Sequence, residues 1–253
     1  MWLGSLLFNV GMYVISTVLA IVGLPALVLS RGAVIVWSRV WCRAVLGWLA
    51  LTCGLRHRVV GREHLPTGPY ILAIKHQSTW ETLAANLEFP NCAFVLKREL
   101  MWIPVVGWMM WRAGNVGIDR AAGSSALRAI LRDTGRALED GRPVVIFPEG
   151  TRTPPGSTRP YHAGIAALYS QLKIQVVPVA LNSGLFWGRR TFLKKPGTIT
   201  LQILPPIQPG LSRAAFMDLL RERIEGATAG LIADAQLSIP GAVEKNGDRA
   251  NPA

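Results

Sequence analysis

The sequence predicts an α/β fold: a largely buried mixed sheet flanked by helices, with an N-terminal apolar two-helix membrane element. Short apolar runs of strand length end in turn residues and alternate with segments of helical period. That alternation argues for helices packed on a sheet. The first 30 residues carry no charged side chain, which sets them apart from everything that follows.

Taken in order, residues 2–24 make a run of ~34 Å as a helix, long enough to cross a bilayer. Gly23-Leu24-Pro25 ends it. A cleaved leader is disfavoured, because the start is not basic and the run is too long. Residues 33–55 form a second helix of a different kind. Trp37, Trp41 and Trp48 share one stripe at 100° per residue, and Arg39 and Arg43 lie opposite. Two arginines inside a span are costly, so this helix reads as interfacial, with tryptophans in lipid and arginines at headgroups or on the protein. A core-packing helix is the alternative. Arg31, Arg39, Arg43, Arg56, Arg58 and Arg62 all follow the first run, which places the remainder on the cytoplasmic face of the inner membrane.

Further along, 58–60 is a short strand and 65–69 a turn. Residues 70–74 are a buried strand ending at His76, and 93–96 are another. Residues 101–112 are almost wholly apolar and read as the wall of a hydrocarbon-chain site, a membrane-facing surface or a plain buried helix. Residues 124–139 are a helix closed by Asp140-Gly141, 144–147 a buried strand, 165–172 a short helix, 174–181 and 198–204 strands, and 212–235 a final amphipathic helix. Pro178 within its strand demands an edge or a bulge. The organisation is therefore membrane-associated helices over 1–56, a catalytic domain over 57–238, and a disordered polar tail over 239–253.

Half of the 253 residues are hydrophobic, the net charge is +12 and mean hydropathy is +0.31. A basic, apolar chain points to a membrane with anionic lipids. Nucleic acid is not the expected partner: no binding motif is present, and the tryptophans cluster in apolar runs. Cys42, Cys53 and Cys92 have neither disulfide nor metal spacing and read as small buried hydrophobes.

The chemistry concentrates at two strand ends. The first is KHQSTWET over 75–82, where His76 leaves a strand and Glu81 follows in the first helical turn. The second is FPEGTRT over 147–153, which supplies an acid, a glycine and an arginine. A base at one turn and an anion receptor at the other suggest an enzyme acting on a phosphorylated hydroxyl compound. His76 would take the hydroxyl proton; Glu81 would accept the other ring N–H and stabilise the imidazolium. The same spacing, Ser78-x-x-Glu81, also reads as a helix capping box. No G-x-S-x-G elbow is present, so direct attack by the acceptor is expected rather than a serine acyl-enzyme. With no further clustered ligands, neither metal nor cofactor is expected.

His76 with Glu81, the tetrad 97–100, GNVGIDR over 114–120, FPEGTRT and VPVAL over 177–181 occur in the order and spacing of the glycerolipid acyltransferase family, which this chain resembles over about 59–204. The resemblance implies transfer of an acyl chain from acyl-CoA or acyl-ACP to the 2-hydroxyl of 1-acylglycerol 3-phosphate, a lysophospholipid acceptor. Glycerol 3-phosphate or a lyso-aminolipid is the alternative acceptor. A thioester hydrolase and a non-catalytic lipid-binding protein are more distant readings. The resemblance further implies that Glu149, Gly150, Thr151 and Arg152 form the glycerol-phosphate site with Arg120 contributing, and that the N-terminal helices form a hairpin in one leaflet. Lys97 is a further phosphate candidate. The chain departs from the family at Lys75, usually Asn, at Glu81, usually Asp, and at Gly117, usually a bulkier apolar residue.

Overall fold

Strand β2 (Tyr70–Ile74) shows why this sheet is covered on both faces. Ile71 and Ala73 enter one apolar core, Leu72 and Ile74 enter another, and all four are fully buried. In the computed structural model, which describes residues 1–119 and 123–237, β2 is central in a seven-stranded sheet. Its neighbours are β1 (Leu55–Val60), β3 (Ala93–Lys97), β4 (Val116–Ile118), β5 (Val144–Ile146), β6 (Gln175–Leu181) and β7 (Gly197–Ile203). The order is β1-β7-β6-β2-β5-β3-β4, and every pairing is parallel except the antiparallel β6–β7. The sheet is mixed, as expected. Parallel strands end together, so the turns that follow β2 and β5 lie on one edge, where open α/β sheets place ligands.

Helices α1 (Trp2–Val22), α2 (Arg31–Cys53) and α3 (Trp80–Glu88) supply the core on one face. Helices α5 (Gly123–Glu139), α6 (Ala163–Leu172) and α7 (Arg213–Leu237) supply the other. The short α4 (Val106–Arg112) lies beside the α1–α2 connection. The tail expected over 239–253 lies outside the described residues.

Pro178 occupies an interior strand, not an edge. Its carbonyl accepts from Leu204 N–H at 3.0 Å, and the next pairing toward the N-terminus of β6 is the isolated bridge between Val176 and Ile207. Leu204-Pro205-Pro206 therefore interrupts the ladder opposite the position that has no N–H to give.

The N-terminal pair corrects one expectation. The tryptophan stripe of α2 faces α1, not lipid. Trp37 Nε1 donates to Leu19 O at 2.8 Å, Trp41 Nε1 to Ser16 Oγ at 3.0 Å and Trp48 Nε1 to Leu7 O at 3.0 Å. Gly11 and Gly23 make this possible, since a Cβ at either would collide with the Trp48 or Trp37 ring. An indole N–H must find an acceptor once it leaves water, and the α1 backbone beside a glycine offers one. The neighbouring face of α2, with Cys42, Val45, Leu46 and Leu49, belongs to the main core, so this helix is in large part the core-packing alternative. Arg39 reaches the protein, donating to Asn86 O at 3.3 Å.

The apolar surface left over is on α1, where Leu3, Leu6, Val10, Tyr13, Val14, Val18 and Ile21 are each about half exposed or more. Both helices are long and apolar enough to cross a membrane, and this outer face associates the protein with one. Both ends of the pair are tied to the sheet domain. At the base, Lys194 N–H donates to Ser5 Oγ at 2.9 Å; at the tip, Arg112 donates to Leu29 O at 2.6 Å and Arg31 pairs with Asp140 at 2.8 Å. The hairpin therefore lies along the flank of the domain.

Candidate active site

His76 leaves β2 with its ring stacked on Phe147 from the β5 turn, at 4.1 Å between centroids and 22° between planes. Its Nδ1 lies 2.9 Å from Glu81 Oε1. Because a carboxylate accepts, Nδ1 donates, and the tautomer of the neutral ring that does so is the one with its lone pair on Nε2. Glu81 is fully buried and held by every donor around it. Its Oε1 also accepts the Gln77 and Ser78 N–H groups, each at 2.6 Å, and its Oε2 accepts Ser183 Oγ at 2.8 Å. Four donors and no acceptor is the pattern of a carboxylate fixed in place.

The capping-box expectation is half met. Glu81 reaches back to Ser78 N–H, but Ser78 Oγ accepts from Trp80 N–H at 3.1 Å instead of from Glu81, and the N-cap of α3 is Thr79. The carboxylate thus caps the turn and orients the imidazole together.

Residues 147–153 form the facing loop. Gly150 has φ +63°, a left-handed turn that glycine enters without strain, and Thr153 N–H donates to His76 O at 2.7 Å. Arg152 Nη1 donates to Thr79 Oγ1 at 2.7 Å, which pins one arm of the fork at the cavity wall. Glu149 turns away from this space. It is buried; Oε1 accepts Lys75 Nζ at 2.7 Å and Oε2 accepts His76 N–H at 2.9 Å. The departure to Lys75 is therefore part of a buried ion network.

A cavity of about 1010 Å³ connects these groups. His76, Lys97, Gly150, Thr151 and Arg152 lie on its wall, whereas Glu81 and Glu149 stand behind. Away from the histidine the lining turns apolar, with Leu19 and Trp37 from the hairpin, Leu83 from α3, and Val106, Met109 and Met110 from α4. The 101–112 segment is not a plain buried helix. It lines the cavity through α4, and it exposes Trp102, Trp108 and Trp111 beside Leu27 of the hairpin tip. In GNVGIDR, Asn115 is a strut that accepts Phe94 N–H at 2.8 Å, and Gly117 leaves room for Met101 Sδ. Arg120 lies outside the described residues.

A family model described as Acyltransferase matches residues 56–182, half of the chain. The chain belongs to this acyltransferase family. A Pseudomonas aeruginosa 1-acyl-sn-glycerol-3-phosphate acyltransferase is 37% identical over 165 residues, covering 65% of this chain and 64% of the relative. The Saccharomyces cerevisiae protein of the same description is 31% identical over 163 residues, covering 63% of this chain and 54% of its own length. The chain thus spans somewhat more than half of these relatives. The crystal structure of the 1-acyl-sn-glycerophosphate (LPA) acyltransferase PlsC from Thermotoga maritima superposes with a TM-score of 0.74 at 24% identity, covering 90% of this chain and 96% of that one; the likeness is one of fold.

The sequence reading missed Thr79 and Ser183. Ser183 sits just beyond the end of β6, on the sheet edge where ligand sites gather, and that position was the available signal.

Proposed function

We propose that the protein transfers an acyl chain from acyl-CoA or acyl-ACP to the 2-hydroxyl of 1-acyl-sn-glycerol 3-phosphate, forming phosphatidic acid. The observation that carries this is one cavity joining a histidine base, an arginine fork and an apolar lining drawn from the hairpin helices. That combination suits a substrate with a hydroxyl, a phosphate and a hydrocarbon chain. The names of the Pseudomonas and yeast relatives support the same acceptor.

His76 Nε2 takes the proton as the acceptor oxygen attacks the thioester carbonyl. Glu81 stabilises the imidazolium that forms, and the proton passes to the departing thiolate as the tetrahedral intermediate collapses. The phosphate is held by Arg152, by Gly150 and Thr151 of its turn, and by Arg120 and Lys97. Glu149 serves by holding the His76 backbone rather than by touching substrate. The hairpin lies in the cytoplasmic leaflet of the inner membrane; the exposed Arg43 of its second helix and the net charge of +12 favour anionic headgroups.

The test is turnover by the full chain in detergent with acyl-CoA or acyl-ACP, offering lysophosphatidate, glycerol 3-phosphate and a lyso-aminolipid, with products read by mass. Phosphatidic acid as the dominant product is expected. Equal use of the phosphate-free acceptor, or release of free fatty acid alone, would overturn the proposal.

A further inference from the structure

The Lys75 side chain is 1% exposed, yet its ammonium meets two carboxylates. It donates to Glu149 Oε1 at 2.7 Å and to both oxygens of Glu225 at 2.8 Å. Glu149 passes the connection on, since its other oxygen accepts the His76 N–H at 2.9 Å. Glu225 stands on α7, beyond the segment matched by the family model. It also accepts the Tyr161 hydroxyl at 2.8 Å. Burial and the adjacent Glu225 carboxylate push the Tyr161 phenol well above its ordinary range, so it stays a donor. Direct bonds therefore run from the last helix to the backbone of His76.

Two carboxylates facing one ammonium that is itself shut off from water form a poor stabilising device. Apolar residues of the same volume often serve stability as well, whereas removing one partner leaves an unmatched buried charge. What this network does supply is position. It ends on the N–H of the residue whose ring reaches into the cavity, and a displacement of about 1 Å at a reacting group costs on the order of 100-fold in rate.

We propose that Lys75 and Glu225 are positioning residues for acyl transfer, fixing through Glu149 the backbone at His76 and so the direction of its Nε2. The proposal rests on His76 being the base, and it places a determinant of the rate on α7.

The test uses the full chain in detergent as Lys75→Met, Glu225→Leu, the double variant and Glu225→Gln. Three readouts are taken: kcat and acceptor KM with lysophosphatidate, thermal melting by circular dichroism, and ¹³C-histidine NMR. The protein has four histidines, and His76→Ala assigns the line of interest. Each apolar single variant should lower kcat by about 10- to 100-fold with acceptor KM within about threefold. The double should fall little below the worse single, because both break one network. Glu225→Gln, which keeps an acceptor for Lys75 and Tyr161, should recover to within about threefold of the parent. The His76 line should move in the single variants, while the line of His57, which lies on β1 with its Nε2 3.0 Å from Glu88 and outside this network, stays. Wild-type kcat in a folded single variant, additive losses in the double, or an unmoved His76 line would overturn the proposal. If Lys75→Met is unfolded, Glu225→Leu decides, since it leaves Lys75 and Glu149 as a matched pair; an unmoved His76 line there sinks the idea. A parent protein that acylates none of the acceptors would overturn the function reading instead, and the NMR line would still report the coupling.

Discussion

The Ser183 hydroxyl donates to Glu81 Oε2 at 2.8 Å across 102 residues of sequence. This bond holds the carboxylate from the side opposite His76, so a residue just past β6 sets the pose of an acid on α3. The Gln77 and Ser78 N–H groups and the His76 ring take the other oxygen, and no part of the carboxylate is left to move.

Glu81 variants should separate charge from shape. Glu81→Gln keeps the volume and an acceptor for Gln77 and Ser78 but loses the charge that stabilises an imidazolium, so it should lose most of kcat while folding normally. Glu81→Asp should retain more, despite being shorter. Ser183→Ala leaves the charge and should cost about tenfold or less, in line with one neutral-to-charged hydrogen bond of ~1.5 kcal/mol. Steady-state kinetics of the three, beside their melting curves, decide it; Gln equal to the parent would leave Glu81 as a cap alone.

His76→Ala should lower turnover by about 10²–10⁴-fold, the range of a positioned base. The ring is partly exposed and packs on Phe147, so its removal should leave the far-ultraviolet spectrum and vesicle binding unchanged. Turnover near that of the parent would end the proposed mechanism.

Arg152→Ala should act on the acceptor. A lost charged hydrogen bond of ~1.5–3 kcal/mol corresponds to about 10- to 150-fold in kcat/KM, with donor KM nearly unchanged. Thr79→Val removes the strut on Nη1 and should give a weaker effect with the same acceptor selectivity. Equal effects on donor and acceptor would reassign the arginine.

Membrane attachment is best tested on the surface of α1, not by truncation. Phe8, Val45 and Leu49 are fully buried in the main core, so deleting 1–55 should unfold the protein. Val10→Asp with Val14→Asp, both more than half exposed, should abolish flotation with vesicles and leave melting nearly unchanged. Anionic vesicles should bind the parent better than neutral ones, with the difference shrinking in salt. A folded double variant that floats like the parent would move the anchor to Trp102, Trp108 and Trp111.

The sequence by itself determined what depends on near neighbours. The buried strand at 70–74, the imidazole at its end and the acid five residues on are set by local pattern and reach, and the ring and carboxylate meet at 2.9 Å. The ordered motifs fixed the family for the same reason, since each is a short stretch of a strand or of the turn beside one. Tertiary structure alone decided the partners that come from far along the chain. Ser183 behind Glu81 and Glu225 behind Lys75 are joined across 102 and 150 residues, and no local period encodes such pairs. It also decided that the tryptophans of α2 face α1, because a helical stripe gives a direction but not what waits there. Gly11 of α1 and Gly23 at its end opened acceptors that lipid does not offer, and an indole N–H is satisfied better by a carbonyl than by hydrocarbon.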